Sequence, residues 1–230
     1  MPGLVEITLK SEDGGLSYDD AHKLAVSSLI ALVPEAEETV HPKNKPAGFS
    51  IVEFSREAPS CTLGIIDDHL LNELKKLNDN STEVKKAGIN GILSVKVKEE
   101  IRWSDLWEPR SQKARITFRT PVSFLKGKRY NALPVVDLVF SSLVRKWNAY
   151  APVEIDLGDF EEGAWITSFN IRTKKENLER FIFVGALGWI TIKFDRARQM
   201  TGNALLRFGT YSGVGAKTSF GFGSIKVEFL

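Results

Sequence analysis

Apolar residues recur with regular periods over most of the first half of the chain. Ser17 and Asp20 have the spacing of a capping box, which predicts a helix that begins there and ends before Pro34. The apolar residues of this helix recur three and four positions apart, at Ala21, Leu24, Ala25, Leu29 and Leu32. A second helix is expected from Asp67, with its apolar stripe at Leu70, Leu74 and Leu77.

Strands are predicted on both sides of these helices. Apolar and polar positions alternate over 93–103, which indicates a half-buried strand, and shorter apolar runs predict strands over 5–10, 49–55 and 60–66. A polar turn over 11–15 and an irregular segment over 34–48 connect them. The order β-α-β-β-α-β is typical of a ferredoxin-like domain, with helices on one face of an antiparallel sheet.

The second half repeats this order less regularly. We expect strands over 115–120, 153–157, 165–172, 181–194 and 224–230, and Pro121 is expected to stop the first of them. Helices are expected to begin at Pro134 and at Asp195, the latter reaching about Phe208. We therefore predict an α+β protein of two tandem ferredoxin-like domains, at residues 1–108 and 109–230, the second of them elaborated.

Charge divides unevenly between the two halves of this 230-residue chain. Residues 1–103 carry 12 Lys and Arg against 17 Asp and Glu, whereas residues 104–230 carry 19 against 12. The extreme is 110–150, with nine basic residues and one acid, Asp137. Such a balance indicates a polyanionic partner for the second half, although an ordinary solvated surface explains the charge equally well.

Composition excludes several classes of protein. A single cysteine, Cys61, allows no internal disulfide and suits a reducing cytoplasm, and three scattered histidines predict no metal cluster. No apolar run approaches the roughly 18 residues of a membrane span, and the first residues lack the pattern of a signal peptide. We expect a cytoplasmic protein without metal, cofactor or membrane association.

Four glycines occur in two pairs within the eleven residues GVGAKTSFGFG, which we call the glycine loop (213–223). Glycine allows positive φ and close approach of backbone to a ligand, and Lys217, Thr218 and Ser219 offer a charge and hydroxyls that suit phosphate oxygens. The loop lacks the third glycine of a dinucleotide fingerprint and the Gly-Lys-Ser/Thr of a Walker loop. It is either a phosphate-binding loop or a flexible helix–strand connection.

The glycine loop resembles the signature of the repeat-associated mysterious protein superfamily, whose members bind CRISPR RNA. Within it, ITFRTPVSF (116–124), Leu133-Pro134 with VFSSLVRKWN (139–148), FNIRT (169–173) and FVG (183–185) are similar to the CRISPR repeat-RNA processing endoribonuclease family. The resemblance covers most of 110–228. Over 1–103 it depends on element order and one histidine.

The resemblance implies a metal-independent endoribonuclease that binds CRISPR repeat transcripts and matures them to guide RNAs. The 2′-hydroxyl would attack the adjacent phosphate, giving a 2′,3′-cyclic phosphate and a 5′-hydroxyl. The alternative is a non-catalytic RNA-binding subunit of a CRISPR interference complex, and a third interpretation is an α+β protein that binds a small phosphate compound. Other subunits of such a complex are possible partners, and monomer and homodimer both stay open.

Candidate catalytic residues follow from the resemblance. His41, in the irregular segment, matches the position of the family's catalytic histidine, and a histidine both takes and gives a proton near neutral pH. Lys45 or Lys43 is the implied lysine, and Tyr18 is the candidate for the catalytic tyrosine of some members. His22 is interpreted as a surface residue, and His69, at a helix start, as a capping or surface residue.

The RNA-binding residues are expected in the second half. The candidates are Gly213, Gly215, Lys217, Thr218, Ser219, Gly221 and Gly223 of the glycine loop, and the basic residues Arg119, Lys126, Lys128 and Arg129 around a predicted turn. The basic group fits either phosphate contacts or a solvated hairpin tip.

Overall fold

The computed structural model describes residues 1–10, 17–55, 59–86, 89–158 and 160–230. The predicted turn over 11–15 lies outside them. In the described part, no helix combines the length and the apolar character that crossing a bilayer requires.

The first half forms one five-stranded antiparallel sheet. Its elements are β1 (Gly3–Lys10), α1 (Tyr18–Leu32), α2 (Glu37–Val40), β2 (Phe49–Phe54), β3 (Ser60–Ile65), α3 (Asp68–Lys76), β4 (Ser81–Lys86) and β5 (Ile89–Glu100). The strand order is β2-β3-β1-β5-β4, which is the ferredoxin-like order with β4 added at one edge. Alternate residues of β1, Val5 and Ile7, are fully buried against the helices, as the period-two pattern requires.

Helix α1 begins as predicted. The Ser17 side chain accepts a hydrogen bond from the Asp20 amide, and the Asp20 carboxylate accepts one from the Ser17 amide. The helix ends at Leu32, and Pro34 opens a short 3-10 turn, Pro34–Ala36. The predicted irregular segment thus contains this turn and α2 before the chain enters β2.

The second half forms a four-stranded antiparallel sheet in the order β11-β6-β10-β9, again the ferredoxin-like order. Its elements are β6 (Lys113–Val122), the hairpin β7 (Phe124–Lys126) and β8 (Arg129–Asn131), α4 (Val136–Tyr150), α5 (Phe160–Gly163), β9 (Ala164–Asn177), β10 (Ile182–Phe194), α6 (Arg196–Ser212) and β11 (Ile225–Phe229). Strand β6 continues through Pro121 to Val122, so the predicted stop at Pro121 is two residues early. The fold class is that of two tandem ferredoxin-like domains.

The predicted strand over 153–157 is wrong, because these residues run beside α4 without regular structure. Asn148 donates to the Ile155 carbonyl oxygen and accepts from the Ile155 amide, both at 2.9 Å. The Trp147 indole donates to the Val153 carbonyl oxygen at 2.7 Å. Side chains of the helix therefore take the backbone hydrogen bonds that a neighbouring strand would have supplied.

The two sheets have separate hydrophobic cores, and α6 connects the halves. The last turn of α6 packs on β3 so closely that a Cβ on Gly64 would lie 1.8 Å from the Tyr211 carbonyl oxygen. Ser50 of β2 donates to that same oxygen at 2.5 Å. The glycine loop, which follows α6, is thereby placed at the junction of the two halves. The domain boundary at residue 108 stays a prediction.

Candidate functional site

The glycine loop owes its shape to its four glycines. Gly213, Gly215, Gly221 and Gly223 all have positive φ, between 62° and 88°. All four are buried. A Cβ on Gly223 would lie 1.8 Å from the Val214 carbonyl oxygen, and one on Gly215 would lie 2.5 Å from that of Ser123. The glycines thus let the loop fold onto its own backbone and onto the end of β6.

Backbone hydrogen bonds hold this shape. The Gly223 amide donates to the Pro121 carbonyl oxygen at 3.0 Å, and the Val214 amide donates to the Gly223 carbonyl oxygen at 2.8 Å. The Ala216 amide donates to the Ser123 carbonyl oxygen at 2.8 Å. Residues 216–220 form the middle of the loop, between these two anchored ends.

The middle of the loop carries one exposed cation. Lys217 has left-handed backbone geometry, with φ 60°, which is uncommon for a residue other than glycine. Its ammonium lies 5.0 Å from the ring centre of Phe181 and 5.2 Å from that of Phe220. Thr218, by contrast, is buried, with 8% of its surface exposed.

His22, interpreted from sequence as a surface residue, contacts this loop directly. Its Nδ1 is 2.8 Å from the Ser219 carbonyl oxygen, and its ring stacks on Phe220 with 3.6 Å between ring centres. Because a carbonyl oxygen only accepts, Nδ1 carries the proton, and Nε2 is the nitrogen left to accept one. No local sequence pattern indicates this contact, since 197 residues separate the partners.

The surroundings of His22 favour its neutral form. Burial lowers the pKa of His22 below its ordinary value, the hydrogen bond to Ser219 raises it, and the charges of His41 and Lys217 lower it further. His41, predicted to be catalytic, thus affects the charge of His22, although the contacts of the described residues do not join the two rings.

His41 directly follows α2, where its amide donates to the Glu37 carbonyl oxygen at 2.8 Å. The side chains of His41, Lys43 and Lys45 are all exposed. The Lys45 ammonium lies 4.8 Å from the ring centre of Tyr150. The Tyr150 hydroxyl donates to the Pro46 carbonyl oxygen at 2.6 Å, which ties this segment to α4.

A cavity of about 470 Å³ lies between this segment and the glycine loop. Its walls are Pro46 and Ala47, the β7–β8 hairpin, α4 and residues 215–220. Arg145, Lys146 and Lys217 contribute to the lining, and the described lining residues include no carboxylate. Such a cavity suits a phosphate group.

The remaining predicted residues fall in two places. Lys126, Lys128 and Arg129 are exposed on the β7–β8 hairpin, whose Tyr130 lines the same cavity. Arg119 lies apart from them, in a smaller cavity of about 250 Å³ between the halves, where its guanidinium is 3.3 Å from the Glu53 carboxylate.

Tyr18 also lines the smaller cavity. Its ring stacks on Phe222 with 4.5 Å between centres and meets Phe54 edge-on at 5.1 Å. These contacts place Tyr18 in an aromatic cluster under the glycine loop, four residues before His22 on α1. Its predicted catalytic role stays a prediction.

Comparison with known proteins gives consistent matches. Residues 116–225 match the profile of the family described as CRISPR-associated endoribonuclease Cas6. A Streptococcus thermophilus protein of that name is 30% identical over 174 residues, which cover 73% of this chain and 68% of the relative. A Mycobacterium tuberculosis protein of the same name is 29% identical over 126 residues, 52% of this chain and 40% of the relative.

Solved structures match over nearly the whole chain. Thermus thermophilus Cas6 superposes with a TM-score of 0.74 at 24% identity, covering 99% of this chain and 98% of that one. A structure described as a Cas6 substrate mimic complex superposes with a TM-score of 0.71 at 21% identity, covering 99% of both chains. At these identities the likeness shows the fold.

Proposed function

This chain belongs to the Cas6 family of CRISPR-associated endoribonucleases, and from that membership we propose that it binds CRISPR repeat RNA and cleaves it to guide RNAs. The observation that carries the proposal is a cavity lined by Arg145, Lys146 and Lys217, with no carboxylate among its described lining residues, next to a loop that His22 contacts at Ser219. Acid–base groups and positive charge are what cleavage of a phosphodiester requires.

RNA lies across the larger cavity and is held by two groups of cations. The β7–β8 hairpin contacts RNA phosphates through Lys126, Lys128 and Arg129. The glycine loop contacts them through Lys217. The four glycines shape the loop, and its exposed residue Lys217 meets the RNA. Arg119 contacts RNA only where the RNA enters the smaller cavity. There an RNA phosphate competes with the Glu53 carboxylate for the Arg119 guanidinium.

Cleavage follows the chemistry of an internal attack. The 2′-hydroxyl oxygen attacks the adjacent phosphorus, the bond from phosphorus to the 5′-oxygen breaks, and a 2′,3′-cyclic phosphate and a 5′-hydroxyl result. The reaction needs a base for the 2′-hydroxyl, an acid for the 5′-oxygen and cations for the charge on the phosphorane. No metal ion takes part.

The two histidines divide the proton transfers. His22 is the base, because its lowered pKa keeps it neutral at pH 7 and its Nε2 accepts the proton. His41, exposed directly after α2, is the acid. Lys43 or Lys45 stabilises the phosphorane. The variant Tyr18→Phe keeps the ring and removes the hydroxyl, so its cleavage rate tests whether the Tyr18 hydroxyl contributes.

Single-turnover cleavage of repeat RNA by histidine variants tests these roles. We expect His41→Ala and His22→Ala each to lower the rate by at least about 100-fold, as loss of a general acid or base does, while RNA binding is retained. His69→Ala is the matched control, since His69 is exposed on α3. Wild-type cleavage by His41→Ala would remove His41 from the mechanism. A wild-type protein that binds the RNA without cutting it would support the non-catalytic alternative.

A further inference from the structure

Lys146 is a buried cation directly beneath the glycine loop. It lies on α4 with 3% of its surface exposed, and the salt bridges among the described residues do not include it. Its ammonium donates to the Ser212 carbonyl oxygen at 2.8 Å, to that of Gly213 at 2.9 Å and to the Thr218 hydroxyl at 3.2 Å. Lysines are rarely buried in this way without a carboxylate.

The first two contacts complete the end of α6. Ser212 is the last residue of that helix and Gly213 caps it, so their carbonyl oxygens lie at the negative end of the helix dipole. A cation there is stabilising, which explains how the ammonium is tolerated in the interior. Burial nevertheless lowers the pKa of Lys146 well below its ordinary value, with a smaller effect from the charge of Arg145.

The third contact reaches the middle of the loop. Thr218 is buried between Lys217, whose ammonium faces Phe181 and Phe220, and Ser219, whose carbonyl oxygen accepts from His22. One ammonium therefore joins the end of α6 to the segment that carries Lys217 and holds His22.

We propose that Lys146 is a positioning residue for RNA cleavage, which fixes Thr218 and through it the placement of His22. The proposal rests on the proposed function for its consequence, because the group that it places, His22, is the one assigned to proton transfer. Lys146 itself makes no phosphate contact, since an ammonium has three protons and all three are donated within the protein.

Arg145 supplies the matched control. It is the neighbouring residue on α4, lines the same cavity and is exposed, so its charge is available to a phosphate. Removing a direct phosphate contact lowers the slope of log affinity against log salt by about one. Removing a positioning residue weakens binding or cleavage without that change in slope.

The test compares Lys146→Met, Thr218→Val, the double variant, Thr218→Ser and Arg145→Met in salt-dependent RNA binding and single-turnover cleavage. We expect Lys146→Met and Thr218→Val each to slow cleavage by about tenfold, the factor that corresponds to 1.36 kcal/mol of transition-state stabilisation. Neither changes the salt slope, the double variant is no slower than Lys146→Met, and Thr218→Ser is close to wild type. Arg145→Met lowers the slope. Additive losses, a reduced slope for Lys146→Met or wild-type cleavage by both single variants would overturn the proposal.

A second measurement needs no RNA. NMR titration of the His22 imidazole is expected to give a higher pKa in Lys146→Met and Thr218→Val than in the wild type, because the displaced loop no longer buries the ring. An unchanged His22 pKa in a folded variant would overturn the positioning role even if the wild-type protein cuts no RNA. If Lys146→Met fails to fold, Thr218→Val alone carries both measurements.

Discussion

Adding one methyl group at Gly223 tests whether the glycine loop is shaped by its own backbone. In Gly223→Ala the new Cβ would lie 1.8 Å from the Val214 carbonyl oxygen, at a residue whose φ is 68°. The backbone at Gly223 must therefore move away from Val214. This movement disturbs two hydrogen bonds, from the Val214 amide to the Gly223 carbonyl oxygen and from the Gly223 amide to the Pro121 carbonyl oxygen. The substitution therefore combines strain with the loss of hydrogen bonds that define the loop.

The size of the effect follows from these contacts. Left-handed geometry costs an L-residue about 1–2 kcal/mol, and a lost hydrogen bond costs about 0.5–1.5 kcal/mol. We expect Gly223→Ala to lower the free energy of unfolding by about 3 kcal/mol, which for a chain of this length lowers Tm by roughly 6–12 °C. RNA affinity should fall as well, because residues 216–220 lie between the two anchored ends of the loop.

Gly221→Ala is the matched control in the same loop. Its φ is 88°, so the strain is similar, but the nearest atoms, on Phe54 and Tyr18, are 3.4 Å away, an ordinary contact. We expect only the strain of about 1–2 kcal/mol. Thermal unfolding and RNA binding of the two variants, measured in parallel, decide the matter. Equal losses for Gly221→Ala and Gly223→Ala would refute the idea that close backbone packing fixes the loop.

Three further predictions follow from the site and the fold. Because the pKa of His22 is lowered, its neutral form persists to lower pH, so the acid limb of the rate of RNA cleavage should lie below about pH 6.5; a midpoint above that value would contradict its role as base. Lys128→Ala should lower the slope of log RNA affinity against log salt by about one. Arg119→Ala should lower this slope less, because it also leaves the Glu53 carboxylate without its partner; a larger reduction for Arg119→Ala would indicate that the RNA binds in the smaller cavity. Asn148→Ala should lower the free energy of unfolding by about 2 kcal/mol, for the two hydrogen bonds to Ile155; a loss below about 0.5 kcal/mol, the size of an ordinary surface change, would show that 153–157 has other support.

The strands and helices that bury one face were predictable from sequence because burial imposes a period. Val5 and Ile7 alternate with half-buried neighbours, and the capping box at Ser17 and Asp20 marks a helix start by local chemistry alone. The edge strand β4 was missed, since its sequence STEVKK contains one apolar residue, Val84, and so shows no alternation. Val153, Ile155 and Leu157 alternate like a strand, yet Asn148 had already taken the backbone groups of Ile155.

The residues of the glycine loop were predictable from the sequence, but their three-dimensional partners were not. The paired glycines indicate a loop of unusual conformation. The structure explains them by nearby carbonyl oxygens that a Cβ would contact, rather than by open space for a ligand. His22 lies on the first helix and its partners Ser219 and Phe220 lie near the end of the chain, so no local pattern joins them. Lys146 reads as one basic residue of the polar face of α4, and only the end of α6 reveals why it is buried.

We propose above that this protein cuts repeat RNA through the 2′-hydroxyl, without a metal ion. The most direct test is to incubate purified protein with repeat RNA in excess EDTA and to map both product ends. We predict that cleavage is as fast in EDTA as without it, with a 2′,3′-cyclic phosphate on the upstream fragment and a 5′-hydroxyl on the downstream one. Loss of cleavage in EDTA that returns with a divalent cation, or an upstream fragment ending in a 3′-hydroxyl, would contradict the account.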